Sequence, residues 1–227
     1  MNKKFILVIA GEPYSVFLEI FFKSIKNKNI NSKIVLIVSK KILLAQMKVL
    51  NYKFKINQLN INDLNFIKKF DDKKINIINV EFEGKKTFDK ISDISKNYLD
   101  KSFNLAIKLV NKGLSNKVIN GPISKKHFLK EKFPGITEYM AHKTKSKKFA
   151  MLIYNKSLSV SPITTHIPLK NVHKEISKKK IINKVNLIVN FYKKKLNKDP
   201  KIAITGLNPH CESNFKDSEE KKIIIPS

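Results

Sequence analysis

The sequence predicts an α/β fold built on a largely parallel sheet. Three observations carry that expectation. Short β-prone apolar runs alternate along the chain with segments whose apolar residues recur at helical spacing. No repeat, linker or low-complexity block interrupts the alternation, so residues 1–227 read as one region without an internal boundary. Four of the runs also stop at unusual residues: Gly11-Glu12-Pro13, Gly121-Pro122, Thr164-Thr165-His166, and Gly206 through His210. In open α/β sheets the loops beyond the carboxyl ends of strands form the ligand crevice, so these endings are where chemistry is expected.

Lys4 to Ala10 reads as the first strand. The residues from Ser15 to Ile25 read as a helix with Val16, Phe17, Ile20, Phe21 and Ile25 near one face. The loop between them, Gly-Glu-Pro-Tyr-Ser, can place an anion at a helix N-terminus, but it has one glycine and no GxGxxG. An ordinary βα turn is the favoured reading there. Lys33 to Val38 follows as a strand and Lys40 to Leu50 as a helix, whereas Asn51 to Asp72 reads as loop and short helix. Ile75 to Val80 is the next strand, and a long helix covers Ile91 to Asn111, with Gly113 as its stop signal.

Lys117 to Asn120 is a short strand running into Gly121, Pro122, Ile123, Ser124 and Lys125. Ser124 suits a helix N-cap, which puts Lys125 at a helix start, against the macrodipole. A substrate anion or a carboxylate would account for that placement. The alternative is one more solvated lysine among 46. Phe149 to Tyr154 and Leu158 to Ile163 read as a hairpin turning at Asn155 and Lys156, delivering Thr164, Thr165 and His166. Leu169 to Leu196 reads as one long helix, buried along Val172, Ile176, Ile181, Val185, Ile188 and Phe191. Lys201 to Thr205 is the last expected strand. Asp217 to Glu220 looks like the start of another helix, and the apolar run at Ile223 stops almost at once, so the chain is expected to end before the fold does.

Composition narrows the function. The apolar run Phe5 to Ala10 is too short for a signal-peptide core, and nothing approaches the ~18 apolar residues of a membrane span. A cytoplasmic protein without a membrane partner is expected. The single cysteine, Cys211, excludes an internal disulfide. The net charge of +28 invites a nucleic-acid reading, yet every basic side chain but histidine is Lys and none is Arg, the usual reader of guanine edges. These lysines are spread along the whole chain among abundant Asn and Ile. A solvated, lysine-rich surface is expected, with no nucleic-acid partner.

His166 and His210 each follow a β-prone segment, and two imidazoles carried to one crevice point to a metal site. Such a site needs neutral imidazoles, so binding should weaken below about pH 6.5. The alternative for each is a hydrogen-bonded structural histidine. His127, His142 and His173 lack comparable surroundings and read as surface residues. Cys211 reads either as a soft ligand or as a small core residue.

Taken in order, and joined by Gly135-Ile136-Thr137-Glu138 and by Glu219-Glu220, the four strand-end motifs resemble the PdxA family of 4-hydroxythreonine-4-phosphate dehydrogenases. The resemblance covers essentially the whole chain and is strongest from Asn120 to Pro226. It implies the isocitrate/isopropylmalate dehydrogenase fold, two α/β parts around a cleft, working as a homodimer. It also implies that His166 and His210 are two of three histidine ligands to a divalent metal (Zn, Mg or Co). Thr137 would contact substrate, and Lys125 would sit nearby as a candidate catalytic group. The third histidine and several phosphate contacts belong, in the family, to a C-terminal portion beyond Ser227.

The implied activity is NAD- or NADP-dependent oxidation of 4-phosphohydroxy-L-threonine to a β-keto acid. That acid decarboxylates to 3-amino-2-oxopropyl phosphate, a step of pyridoxine phosphate biosynthesis. No residue identifies the nicotinamide contacts. The chain departs from the family where GDPxGIGPE would stand, having Gly11 through Glu19 with most glycines gone, and at Ile136, where the family has His. Two alternatives follow: a dehydrogenase of another phosphorylated hydroxy acid, or a catalytically silent metal-binding or scaffold relative.

Overall fold

Five strands, β1 (Ile6–Ile9), β2 (Ile34–Val38), β3 (Ile56–Gln58), β4 (Ile75–Asn79) and β5 (Val118–Asn120), pair side by side in the order β3-β4-β2-β1-β5. Every pairing is parallel, with Ile6 opposite Ile34, Leu7 opposite Val118, Leu36 opposite Ile77 and Ile56 opposite Ile75. The computed structural model describes residues 5–26, 30, 32–61, 66–130, 132–208, 210–211 and 215–227. Lys4, expected to open β1, lies outside them, as do residues 62–65 of the Asn51 to Asp72 stretch and Pro209 of the last motif. The chain clusters into two compact units, Met1–Lys132 and Phe133–Ser227.

Parallel neighbours need a crossover: α1 (Phe17–Lys26) joins β1 to β2, α2 (Lys40–Val49) lies between β2 and β3, and α3 (Lys96–Asn111) between β4 and β5, whereas the described part of the β3 to β4 connection holds only the 3-10 turn Phe66–Lys69. β2 is apolar throughout and β4 carries three isoleucines among its five residues, and both are buried at four of five positions, as expected of strands covered on both faces. The core lies between this sheet and the helices, around Phe22, Leu36, Leu43, Ile77, Leu99 and Phe103. Gly113 ends α3 at φ +73°, donating to the Val110 carbonyl while Leu114 donates to that of Leu109, as the sequence predicts.

Several local expectations are corrected. On α1 the buried face is Leu18, Phe21 and Phe22, whereas Val16 and Ile20 are 61% and 54% exposed. Residues 16–22 are apolar at nearly every position, so periodicity allows two adjacent stripes and packing against the sheet selects one. The stretch expected as loop and short helix contains β3, which pairs with β4. Ahead of α3, residues 91–92 are not helical and Asp93–Ser95 forms a 3-10 turn, so that helix is shorter than expected at its start.

The second unit contains α4 (Ile136–Lys143), the one-turn α5 (Val172–Glu175) and α6 (Lys178–Phe191); Tyr139 and Ala141 of α4 and the 1% exposed Ile181 of α6 are buried. The expected hairpin is reduced to a single antiparallel bridge in which Ile153 and Val160 exchange hydrogen bonds of 2.8 and 3.0 Å. Between them the Asn155 side chain accepts from Ser157 N, and its carbonyl accepts from the Ser159 hydroxyl. Such local side-chain bonds compete with a ladder.

The single long helix expected from Leu169 to Leu196 is broken. Ile176 and Ser177 are extended, and the Ser177 hydroxyl accepts from Lys180 N, starting α6 afresh. Lys201 to Thr205 is not a strand but exposed coil, with Ile202 and Ile204 39% and 43% exposed. β-propensity needs a neighbouring ladder to become a strand, and none is formed there among the described residues. Among the described residues, no helix is long and apolar enough to cross a membrane.

Candidate metal and substrate site

In the first unit the loops after β1 and β5 run against each other. Gly11 has φ +75°, and a Cβ on it would lie 2.4 Å from the Pro122 carbonyl oxygen. Glu12 N donates to that same oxygen at 2.8 Å, and Ser124 N donates to the Glu12 carboxylate at 3.2 Å. Glu12 is 2% exposed, and its second oxygen has no hydrogen-bond partner. The turn that the sequence leaves as ordinary is therefore a tie between two strand ends. Ser124 caps the following turn as expected, its hydroxyl accepting from His127 N at 3.1 Å. That turn, Lys125–Leu129, is π-helical, and Lys125 opens it as an exposed side chain. His127 is no isolated surface residue, for its ring pairs with Asp93 at 2.8 Å.

The second unit holds Thr137, His166 and His210. Thr137 is the second residue of α4, half-buried, and Glu138 stands next to it in the first helical turn. One Glu138 oxygen accepts from the Thr165 hydroxyl at 2.8 Å, while the other is buried without a partner. A Cβ on Gly135 would meet that second oxygen at 3.0 Å and His166 Nε2 at 3.4 Å, so glycine leaves room for carboxylate and imidazole together. His166 itself is exposed and left-handed, φ +53°. A few residues earlier, the Pro162 carbonyl accepts from Lys184 Nζ at 2.9 Å. Burial pulls the Lys184 pKa down, and the nearby Glu138 carboxylate opposes that pull.

His210 is exposed on a tight turn. Its backbone N donates to the Asn208 side chain at 3.0 Å, and Cys211 N donates to the Asn208 carbonyl at 3.1 Å. Cys211 is exposed, not a core residue, and left-handed at φ +51°. Glu220, 4% exposed, accepts from Leu207 N at 2.9 Å. Its own backbone N–H and that of Leu207 hold its carboxyl below the usual carboxylate range.

His166 and His210 are both exposed imidazoles, the donor type that a divalent ion takes. Among the described residues no group of three or more His, Cys, Asp or Glu side chains gathers as a metal site. Glu12, Glu138 and Glu220 carry structural roles that the sequence reading does not assign. The one available signal was their place inside the quoted motifs.

Comparisons with known proteins bear on this arrangement. The solved structure of 4-hydroxythreonine-4-phosphate dehydrogenase from Klebsiella pneumoniae superposes with a TM-score of 0.80 at 24% identity, covering 98% of this chain and 70% of that one. The 4-hydroxythreonine-4-phosphate dehydrogenase of Sulfurihydrogenibium sp. is 35% identical over 225 residues, covering 97% of this chain and 68% of that protein. The D-threonate 4-phosphate dehydrogenase of Pectobacterium atrosepticum is 26% identical over 233 residues, covering 99% and 70%.

Fold and relatives define the class: an oxidoreductase with the α/β fold of the isocitrate/isopropylmalate dehydrogenases. Residues 30–227 match the model of the pyridoxal phosphate biosynthetic protein PdxA, and the chain belongs to the PdxA family.

Proposed function

We propose that this chain is the catalytic polypeptide of an NAD- or NADP-dependent, divalent-metal-assisted dehydrogenase of 4-phosphohydroxy-L-threonine. It would work in the cytoplasm as a homodimer, in pyridoxine phosphate biosynthesis. The observation that carries the reading is the 35% identity over nearly the whole chain to a protein named for that activity. The exposed His166, on a turn that the Thr165 hydroxyl ties to α4, agrees with it.

His166 and His210 would hold the ion (Zn, Mg or Co), the first from a turn secured to α4 and the second from the Asn208 turn. Bound there, the ion would supply Lewis-acid polarisation of the reacting alcohol, and a nicotinamide cofactor would supply the hydride acceptor. Thr137, half-buried at the start of α4, offers a hydroxyl for orienting substrate. The net charge of +28 would raise the rate of anion encounter in a salt-dependent way.

NADH formation from 4-phosphohydroxy-L-threonine, with its dependence on added Zn, Mg or Co, tests the proposal. Turnover that is lost in His166→Ala and His210→Ala is expected, and absence of turnover with every metal would overturn it. The relative named for D-threonate 4-phosphate supports a second substrate, in which a hydroxyl replaces the α-ammonium. A higher kcat/KM on that compound would reassign the substrate within the same chemistry. Ile136, where the family motif has His, favours a silent metal-binding or scaffold relative. Metal-induced stabilisation without turnover of either compound is the outcome expected of such a protein.

A further inference from the structure

We propose that Glu138 is a positioning residue for His166, securing its turn through the Thr165 hydroxyl. The inference rests on the reading of His166 as a metal ligand. His166 needs such support, because a non-glycine residue at φ +53° occupies a backbone region that L side chains rarely adopt unless their surroundings hold them there.

The supports are on both sides of the turn. The Pro162 carbonyl is held by Lys184 of α6 at 2.9 Å, and the Thr165 hydroxyl by Glu138 of α4 at 2.8 Å. Residues 162–166 are therefore fastened to two helices within one unit. The remaining Glu138 oxygen is buried and unpartnered, and it crowds the same point above Gly135 as His166 Nε2. A residue that fixes the backbone carrying a ligand acts as an outer-shell partner, setting where the imidazole stands. Neither a helix-capping nor a solubility role for Glu138 accounts for its bond to the Thr165 hydroxyl, one residue before His166.

The test is made on the full 227-residue chain with two readouts. Cobalt titration, followed by the visible ligand-field spectrum, measures the ion. Backbone 15N heteronuclear NOEs of Thr165 and His166 in the metal-free protein measure the turn. Glu138→Ala and Thr165→Val are each expected to weaken cobalt binding by about 10- to 100-fold, the usual cost of losing an outer-shell partner, and to lower both NOEs. Thr165→Ser keeps the donor and restores both. The double variant Glu138→Ala/Thr165→Val is expected to be no weaker than Glu138→Ala alone, since one bond joins the two residues.

If His166→Ala abolishes cobalt binding while Glu138→Ala and Thr165→Val leave affinity and NOEs unchanged, the positioning role is overturned and the metal reading stands. If the wild-type chain shows no His166-dependent cobalt binding, the metal reading and the presentation of a ligand fall together. The NOEs then report only whether Glu138 holds the turn.

Discussion

Gly11 and Gly121 cross with no space for a side chain on either. A Cβ on Gly11 would stand 2.4 Å from the Pro122 carbonyl, and one on Gly121 would stand 2.2 Å from the Ala10 carbonyl. Both obstacles are backbone, which cannot swing aside as a flexible side chain does. Gly11→Ala adds the strain of φ +75° to the clash. Each substitution is expected to lower unfolding free energy by at least ~2 kcal/mol, Gly11→Ala the more, read as the shift of the urea midpoint. An unchanged midpoint would show that the loops do not run together.

Glu12 supplies the second tie between those loops, through Ser124 N at 3.2 Å. Glu12→Ala leaves the part-buried Ser124 N–H without its acceptor, at a cost of about 1 kcal/mol. Glu12→Gln keeps an acceptor for Ser124 and removes the charge whose second oxygen is unpartnered. Equilibrium urea denaturation is expected to rank the proteins wild type, then Gln, then Ala in falling or nearly level order, with Ala clearly last.

Gly135 separates stability from site geometry. Its φ of −163° is accessible to any residue, so alanine meets no backbone strain there. The added methyl would meet the Glu138 oxygen at 3.0 Å and His166 Nε2 at 3.4 Å, and one of them must give way. Gly135→Ala is expected to change stability by only about 1 kcal/mol, the scale of an N-cap change, while weakening cobalt binding. Thermal unfolding and cobalt titration of the same sample check both halves.

Glu220 makes the fold acid-sensitive in a defined direction. Its carboxyl is held below the usual range by backbone N–H groups, its own foremost and then that of Leu207. The folded value lies below the unfolded one, so the stabilisation is complete above the ordinary glutamate value of about 4.3 and is lost as pH falls through the lower folded value. Glu220→Gln is expected to show a flatter fall in melting temperature with acidification below that pH than the wild type. Asp71, Asp89, Asp93 and Asp217 are also held low, by neighbouring lysines and backbone groups, but they remain in both proteins. The difference between the two curves therefore reports Glu220.

Local signals identified the elements whose causes are local. The apolar runs at Leu7, Leu36 and Ile77 became strands, Gly113 stopped α3, and Ser124 capped its turn, because each depends on a few adjacent residues. Motif order also carried the family, since Thr165-His166 and Asn208-Pro209-His210 are short and distinctive. Choices that depend on distant neighbours were not legible. Which stripe of α1 is buried, whether residues 201–205 find a ladder, and where the helix after Pro168 breaks were settled by packing. So were the roles of Glu12, Glu138 and Glu220, whose partners stand 112, 27 and 13 positions away. Hydrophobic period and capping chemistry act over a turn or a strand, whereas a carboxylate meets its donor only when the chain has folded back on itself.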